Sequence, residues 1–446
     1  MNFTYKQIWL INYPVMMSIL MEQLINITDA IFLGHYGEVE LGASALAGMY
    51  YLILYMLGFG FSLGLQVMVA RRNGEQKYDE TGKVFFQGLF FLVVLAVFLF
   101  LLSKWIAPVI LSGLVTSDEV YGAVIDYLDW RTFGLLFTFP ALAFRSFFVG
   151  IIKTRVLTVG AVVMVTTNIL LNYLLIFGHA GFPRLGISGA ALASTLSELS
   201  FLIVFLVYIF REVDKRQYGL RPVYDGLLLL RLLHLSVWSM MHAFISVAPW
   251  FFFFVMIEHL GENILAVANI IRSISTVFFV IVCSFSTTTG SLVSNLIGAG
   301  EYAKVMPLCR KMVCLGYFVG LPLIVLTFFF SDAVLGVYTK NEELIRIAFW
   351  PFTVMLANYL FSVPAHIYCN AVTGTGRTRT AFLFEVVTTV FYVIYLYVLS
   401  ATPNLPLAVY WTTEHIYVLS LFVLSYWYMK CVYKRHTGCN RKQFII

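Results

Sequence analysis

The chain has 446 residues, of which 60% are hydrophobic and only 12% are charged, and its mean hydropathy is +0.86. Soluble domains average about 25% charged residues, so this composition excludes an ordinary soluble protein. The formal charge of +6 does not indicate a nucleic-acid partner, because the basic residues collect in the loops on one side of the predicted membrane spans.

Hydrophobic runs of about 20 residues or more recur along the chain, and an α-helix needs this length to cross a bilayer. They predict an all-α membrane protein with twelve transmembrane helices. The first run continues past Leu33, so it predicts a spanning helix rather than a cleaved signal peptide. The predicted spans are 8–33, 45–70, 84–102, 124–150, 157–178, 187–210, 234–258, 264–297, 308–330, 345–371, 380–400 and 406–430.

The distribution of Lys and Arg predicts the orientation of these spans. With a cytoplasmic N-terminus, the inner segments hold 22 of the 29 Lys and Arg residues, and the outer loops hold only Lys104, Arg184 and Lys340. Positive residues favour the cytoplasmic side of a membrane. We therefore expect a multi-pass protein of the plasma (inner) membrane with both termini cytoplasmic, and no nucleic-acid partner.

One long polar segment lies almost at the midpoint of the chain, from Arg211 to Arg231. It predicts three parts. An N-terminal six-helix lobe covers 1–210, a cytoplasmic linker covers 211–233, and a C-terminal six-helix lobe with a short basic cytoplasmic tail covers 234–446.

An internal repeat relates the two halves at one constant offset along the chain. Four landmarks keep this offset without a gap: positions 35–38 with 259–262, Gly74 with Gly298, Pro140 with Pro364, and Gly150 with Gly374. Each half holds an even number of spans, so both halves enter the membrane from the same side. We expect two lobes related by a parallel pseudo-two-fold repeat around a central cleft, the place where such transporters bind substrate. A duplication retained only for packing is the alternative.

The stretch MEQLINITDAIFLGHYG carries a carboxylate, Asp29, inside the first span, with Glu22 and Asn26 on the same helical side. A charged side chain in hydrocarbon costs at least about 2.5–3.5 kcal/mol, so Asp29 is a candidate functional residue. The repeat places Phe253 at the equivalent position of the second half. We therefore expect the polar intramembrane set in the N-terminal half only.

Several motifs occur in a fixed order: NITDAIFLGHYGEVELGASALA, SLGLQVMVARRNGE with its counterpart TTTGSLVSNLIGAGE, the turns RSFFVGIIKTR and CNAVTGTGRTR, and TNILLNYLLIFG followed by GISGAALAS. Together with the repeat they resemble the multidrug and toxic compound extrusion (MATE) family over nearly the whole chain. The resemblance implies a two-lobe bundle that works by alternating access. It also implies export of cationic amphiphilic drugs or toxic metabolites in exchange for protons or sodium.

The same resemblance assigns roles to individual residues. One branch of the family keeps its essential acid in the first span, where this chain has Asp29, and Pro14 matches that branch's helix-bending proline. Asn168 and Asn172 match its polar pair in the fifth span, and Ser194 matches the small hydroxyl residue of the sixth. These matches imply a cation-coupling site.

Two departures from the family pattern bear on the choice of cation. The second position of the fifth span is an Asp in the best-known sites of that branch, whereas here it is Asn172. The acids of the sodium-driven branch are replaced by Ser246 and Ser362. We therefore expect Asp29 to bind and release a proton rather than sodium.

Further residues are expected to support this site or line the substrate cavity: Glu22, Asn26, Tyr127 and Glu198, where Tyr127 matches the family's tyrosine of the fourth span. Glu385, Glu414 and His366 also lie within spans. Asp29 has an alternative interpretation as the structural partner of Arg131 or Arg145. We expect Arg145, which precedes a cytoplasmic turn, to be a headgroup or loop anchor.

The sequence contains no nucleotide-binding or metal-binding motif and no CxxC pair, so it indicates no cofactor and no metal site. One alternative function is a lipid-linked oligosaccharide flippase of the same fold, for which Arg131, Arg145 and Arg272 are candidate cations. A membrane-embedded enzyme is less favoured, because no convergent catalytic set can be assembled. We expect a monomer in the lipid bilayer that acts on a small-molecule substrate and is not an enzyme.

Overall fold

The computed structural model is all-helical over the residues it describes. These are 3–115, 117–339, 341–402 and 405–438, without the side chains of 114, 262 and 432–438. Twelve helical segments within them are long and apolar enough to cross a membrane, which confirms the predicted number. Lys340 and residues 439–446, the end of the predicted basic tail, lie outside the described residues.

The spans are longer than a bilayer requires. About 20 residues cross the hydrocarbon core, whereas the second and third spans have 37 and 36 residues, because polar residues beside the hydrophobic runs continue each helix. The bounds are α1 Tyr5–Tyr36, α2 Glu38–Gly74, α3 Tyr78–Gly113, α4 Asp118–Gly150, α5 Arg155–Phe177, α6 Ile187–Glu212, α7 Gly226–Glu258, α8 Asn263–Gly298, α9 Tyr302–Phe329, α10 Glu342–Gly374, α11 Thr378–Ser400 and α12 Leu407–Cys431.

Four of the described spans contain local interruptions. α9 begins with a 3₁₀ turn at Tyr302–Lys304, and α12 begins with a separate short helix, Leu407–Tyr410. α4 includes a 3₁₀ turn at Thr132–Gly134, and α7 consists of two helices, Gly226–Ile245 and Ala248–Glu258. Pro249 stands in the first turn of the second piece, where its missing N–H group leaves no hydrogen bond unmade. A short helix, Ser331–Gly336, follows α9.

The chain divides into two compact units. The N-terminal unit is Tyr13–Met240, and the C-terminal unit contains the residues from Met241 onward together with those up to Asn12. The first boundary lies inside α1, next to Pro14. The buried Asn12 side chain accepts a hydrogen bond from Thr288 Oγ1 at 2.9 Å, which explains why the start of α1 belongs with the C-terminal unit.

The same helix pairs pack together within each unit. In the N-terminal unit α2 packs against α3 and α4, α5 packs against α6, and α4 packs against α6. In the C-terminal unit α8 packs against α9 and α10, α11 packs against α12, and α10 packs against α12. Each helix pair in the N-terminal unit corresponds to the pair of helices six spans later in the C-terminal unit, in agreement with the predicted repeat.

The segment between α6 and α7 packs against the N-terminal unit. Gln87 Nε2 donates to the Val223 carbonyl at 2.6 Å, and Gln87 Oε1 accepts from the Asp225 N–H at 3.2 Å. Tyr218 is buried, and this burial raises the pKa of its hydroxyl group. The linker is predicted over 211–233, but in the structure it ends at Asp225. α7 begins at Gly226, and the four leucines that follow are helical.

Glycine residues allow α2 and α7 to approach closely. A Cβ atom on Gly64 would lie 2.8 Å from the Cα atom of Ser236, and one on Gly60 would lie 2.5 Å from the Cα atom of Met240. Neither position has room for a side chain unless the α7 backbone moves. This contact therefore depends on glycine in α2.

Gly64→Val is expected to destabilise the protein by about 1–3 kcal/mol, because overpacking a close helix contact displaces the backbone. Gly48→Val is the matched control in the same helix, since no atom lies within 4 Å of a Cβ atom at that position. Thermal unfolding of the purified variants in detergent measures the difference. Equal losses in both variants would show that helix propensity, rather than the contact, sets the cost.

Candidate functional site

Asp29 on α1 accepts hydrogen bonds from three neighbouring side chains. Asn168 Nδ2 and Asn172 Nδ2 lie 3.1 and 2.5 Å from its Oδ1 atom, and Ser194 Oγ lies 2.6 Å from its Oδ2 atom. The three donors are buried, with exposed fractions of 0%, 0% and 3%. The structure thus brings together the four residues predicted to couple a cation, and we call them the Asp29 site.

The donors of the Asp29 site are also bonded to one another. Asn172 Nδ2 donates to Asn168 Oδ1, and Asn168 Nδ2 donates to Ser194 Oγ, each at 3.1 Å. Both amide nitrogens therefore use both of their hydrogen atoms. The Asn172 amide oxygen is buried and receives no hydrogen bond from the described residues, which is uncommon for a buried polar atom. It is an acceptor that a hydrogen-bond donor or a bound cation would satisfy.

Helix geometry explains how these residues meet. Asn168 and Asn172 lie four residues apart on α5, so their side chains project from one face. On α6, a Cβ atom at Gly189 would lie 2.7 Å from the Leu175 carbonyl oxygen, so only glycine permits this approach of α6 to α5. The close approach brings Ser194, further along α6, within bonding distance of Asn168.

A second polar contact joins Arg131 on α4 to Glu198 on α6. The two terminal nitrogens of Arg131 lie 2.8 and 2.6 Å from the two carboxylate oxygens, and the side chains are 14% and 15% exposed. The guanidinium group also lies over the Tyr51 ring, with Cζ 3.7 Å from the ring centre. Tyr127 is buried one turn before Arg131 on the same helix. The charge of Glu198 is therefore compensated by Arg131.

A third contact joins Arg145 on α4 to Glu22 on α1. Arg145 Nη1 lies 2.8 Å from Glu22 Oε1, and Ser18 Oγ donates to the same oxygen at 3.3 Å. The prediction that Arg145 anchors to headgroups or a loop is wrong, because its side chain is 9% exposed and faces this carboxylate. Both intramembrane arginines of the N-terminal unit thus pair with other acids, and the hydrogen-bond partners of Asp29 are neutral.

Two predicted residues of α1 lie outside the Asp29 site. The Asn26 side chain is exposed, and no hydrogen bond among the described residues joins it to Asp29. Pro14 is buried, and α1 continues across it without a break. A proline inside a helix removes one backbone hydrogen bond, so α1 is weakened at this point.

The chemistry of the Asp29 site suits a carboxylate that exchanges a cation. Three N–H and O–H donors stabilise its ionised form. No cationic side chain among the described residues bonds to it, so neutralising its charge in the hydrocarbon region requires a proton or another small cation. The described residues contain no group of three or more His, Cys, Asp or Glu suited to a metal ion.

The family model of MatE, the multidrug and toxic compound extrusion family, matches residues 14–174 and 239–398, more than half of the chain. The chain belongs to the MATE family. The distance along the chain between the starts of the two matched segments, and between their ends, is nearly the offset between the landmark residues of the two halves. The two segments therefore correspond to the two halves of the internal repeat. MATE proteins are efflux transporters in the membrane, so the prediction of a multi-pass transporter rather than an enzyme is confirmed.

Relatives of this MATE protein include probable multidrug resistance proteins. NorM of Photorhabdus laumondii is 23% identical over 353 residues, which cover 77% of this chain and 76% of NorM. YoeA of Bacillus subtilis is 23% identical over 385 residues, which cover 85% of this chain and 82% of YoeA. These relatives match most of the chain and most of their own length.

Solved structures of MATE-type transporters share the fold. An outward-facing multidrug resistance MATE family transporter of the MOP superfamily has a TM-score of 0.89 at 18% identity, with 96% of each chain covered. A MOP superfamily transporter from Pyrococcus furiosus has a TM-score of 0.89 at 17% identity, with 98% of this chain and 97% of that chain covered. The fold thus extends over nearly the whole chain.

The C-terminal unit of this MATE protein also contains buried acids. Glu385 on α11 is 1% exposed and accepts a hydrogen bond from Tyr417 on α12 at 2.5 Å. Glu414 on α12 is 8% exposed and accepts one from Tyr392 on α11 at 3.1 Å. These acids do not repeat the polar set around Asp29, which is predicted in the N-terminal half only, because they lie at other helix positions.

The repeat gives these two acids no acidic counterpart in the first half. It aligns Glu385 with Ala161 and Glu414 with Ala190 in the first half. The two halves carry their acids at different helix positions. Phe253, which stands at the position equivalent to Asp29, therefore gives no information about Glu385 and Glu414. The only sequence signal was the presence of two glutamates inside hydrophobic spans.

Proposed function

We propose that this protein exports cationic amphiphilic drugs or toxic metabolites in exchange for protons, and that Asp29 binds the coupling proton. The observation that carries the proposal is the set of neutral partners around Asp29, whereas Arg145 and Arg131 compensate Glu22 and Glu198. A half-buried carboxylate in the membrane whose hydrogen-bond partners are all neutral gains most from binding a proton. The relatives that are probable multidrug resistance proteins support the substrate class.

Proton binding changes the hydrogen bonds that Asp29 makes. Ionised Asp29 only accepts, whereas protonated Asp29 carries a donor of its own. Rotation of the Asn172 amide would present the amide oxygen that lacks a partner to this new donor. We propose that the change bends α1 at Pro14, that the bend closes the pocket of the N-terminal lobe, and that substrate is then expelled.

The wider setting forms part of the same proposal. We place the protein in the plasma (inner) membrane as a monomer, with both termini cytoplasmic and the lobes 1–210 and 234–446 joined by a cytoplasmic linker. The excess of Lys and Arg in the inner segments supports this orientation. Alternating access of the two lobes would carry substrate outward.

The charges of the described arginines give little support to a flippase for anionic lipid-linked substrates. Such a protein needs cationic side chains that are available to bind phosphate. Arg131 and Arg145 are engaged by carboxylates, and the Arg272 guanidinium lies over the Phe254 ring at 4.9 Å. We therefore do not propose the flippase function.

A dye-efflux and susceptibility panel in a pump-deficient host tests the proposed function. The wild type is expected to confer resistance to cationic dyes, and Asp29→Asn is expected to lose it at equal expression. Glu343→Gln, an exposed acid at the start of α10, is the matched control and is expected to retain resistance. A wild type that changes efflux of no dye would contradict the substrate class.

Efflux by the wild type is expected to be independent of sodium, because a proton needs only the one carboxylate of the Asp29 site. Asn172→Asp places a second carboxylate beside the first, and two adjacent carboxylates resist joint ionisation unless a cation lies between them. Hard cations prefer such oxygen ligands, so this variant is expected to gain stimulation by sodium. Efflux rates at fixed pH, with sodium chloride replaced by choline chloride, measure both effects. A wild-type rate that requires sodium would contradict the choice of proton.

A further inference from the structure

The C-terminal unit contains two acids that the proposed function does not use. Glu385 and Glu414 lie on adjacent, packed helices, α11 and α12, and each accepts a hydrogen bond from a tyrosine on the other helix. Tyr417 donates to Glu385 and lies one helical turn after Glu414, on the same face of α12. We call these two acids, with Tyr392 and Tyr417, the C-terminal acid pair.

The groups that face the C-terminal acid pair carry no permanent positive charge. Glu385 is approached by His242 from α7, by His366 and Cys369 from α10, and by Tyr417 from α12. Glu414 is approached by Tyr392 from α11 and by its neighbour Tyr417. Among the described residues, no Lys or Arg forms an ion pair with either acid.

Two polar groups beside the pair have unused hydrogen-bonding atoms. Trp411 lies one turn before Glu414, is 1% exposed, and its indole nitrogen has no acceptor among the described residues. His242 Nε2 is 3.9 Å from Glu385 Oε2, too far for a hydrogen bond, and its buried Nδ1 atom also lacks a partner in the described part of the chain. The hydrogen bonds around the pair are thus incomplete, which leaves room for rearrangement when a proton binds.

The contrast between two groups of intramembrane acids identifies the ligand as a proton. Glu22 and Glu198 in the N-terminal unit have arginine partners, whereas Asp29, Glu385 and Glu414 have uncharged hydrogen-bond donors. Removing an uncompensated carboxylate from water is so costly that the group binds a proton instead. A phenol suits such a carboxyl group, because a hydroxyl both donates and accepts and serves either protonation state.

We infer that Glu385 and Glu414 form a second proton-binding site in the C-terminal unit, separate from the Asp29 site. The exchange of its protons during transport rests on the proposed proton-coupled function, but the binding of protons at this site does not. The repeat supports two separate sites. At the positions equivalent to the Asp29 site, the second half carries Phe253, Tyr392, Leu396 and Val418.

Infrared difference spectroscopy of the purified full chain in lipid nanodiscs tests this inference. Acidification of the Asp29→Asn variant is expected to produce the narrow carboxyl C=O band of a protonated group in a dry environment. Adding Glu385→Gln or Glu414→Gln to that background is expected to remove roughly half of the band, and adding both is expected to remove all of it. Glu343→Gln in the same background is the control and is expected to leave the band unchanged.

Two results would overturn the inference: no such band in Asp29→Asn, or a band that persists when both glutamates are replaced. If a glutamine variant does not fold, Tyr417→Phe and Tyr392→Phe keep both carboxyl groups and remove one hydrogen bond each. These variants are expected to shift the band, and an unshifted band would also overturn the inference. Transport measurements on Asp29→Asn decide the proposed function separately, so the two failures remain distinguishable.

Discussion

Asp29→Asn is expected to abolish uphill transport while leaving the protein folded. Exchange of one proton for one monovalent cationic substrate moves no net charge across the membrane, so the membrane potential does not contribute, and a tenfold proton gradient supplies about 1.4 kcal/mol. This energy supports a substrate concentration ratio of about ten in the wild type. Without a titratable group at position 29, the ratio is expected to fall to about one, because substrate can then only equilibrate.

The measurement uses proteoliposomes with an imposed tenfold pH gradient, a membrane potential clamped at zero, and a fluorescent cationic dye. The oxygen of Asn accepts the hydrogen bonds from Asn168 and Asn172, and its amide nitrogen donates to Ser194 Oγ, so the fold of the N-terminal unit is expected to survive. An unchanged thermal unfolding midpoint verifies this. Retention of a ratio of about ten by the variant would rule out Asp29 as the coupling residue.

Arg131→Met is expected to lower the free energy of unfolding by about 3–5 kcal/mol, because it leaves the largely buried Glu198 carboxylate without its counter-charge. Met keeps the apolar contact with the Tyr51 ring, so most of the loss reports the missing charge. Adding Glu198→Leu is expected to restore most of the stability, since no unpaired charge then remains. Detergent-induced unfolding of the single and double variants measures the three values.

An exposed ion pair provides the control for this prediction. Lys104 and Asp129 lie 2.6 Å apart, but their side chains are 33% and 57% exposed. Lys104→Met is expected to cost at most about 1 kcal/mol, because water screens such a pair. A loss after Arg131→Met that is no larger than the loss after Lys104→Met would show that the Glu198 charge is not effectively buried.

The hydrophobic runs and a few landmark residues were enough to predict the twelve spans and the repeat of the two halves. Hydropathy determines whether a segment crosses the membrane, because every span must be apolar over the same thickness. The duplication preserved landmarks such as Pro140 and Pro364 at one offset. Features that depend on length, apolarity and spacing along the chain are therefore readable from one sequence.

The composition of the Asp29 site was accessible only in part. The cost of a carboxylate in hydrocarbon singled out Asp29, and the spacing of Asn168 and Asn172 placed their side chains on one helical face. Ser194 came from the resemblance to the MATE family, because no local pattern in α6 indicates that it meets α1. A single sequence does not encode how neighbouring helices are rotated about their axes.

The ion pairs escaped prediction for the same reason. Arg145 and Glu22 are 123 residues apart, and Arg131 and Glu198 are 67 residues apart. In a nearly uniform apolar span, periodicity does not show which face contacts which neighbour. Arg145 was therefore assigned to the membrane surface from its position along the chain, although its side chain points to a partner within the unit.

The pairing of charges separates the intramembrane acids into two groups with different expected roles. Glu22 and Glu198 are held by arginines and stabilise the N-terminal unit. Asp29 is held by neutral donors and is the group that we propose to change charge. This division assigns stability and proton coupling to different side chains, so mutations should affect them separately.

Substrate-linked proton release is the most direct test of the role of Asp29. A cationic dye is added to purified wild-type protein in weakly buffered detergent solution, and a pH indicator reports released protons. The wild type is expected to release protons as the dye binds, and Asp29→Asn is expected to bind the dye without this release. Equal proton release by the two proteins would contradict the assignment of the coupling proton to Asp29.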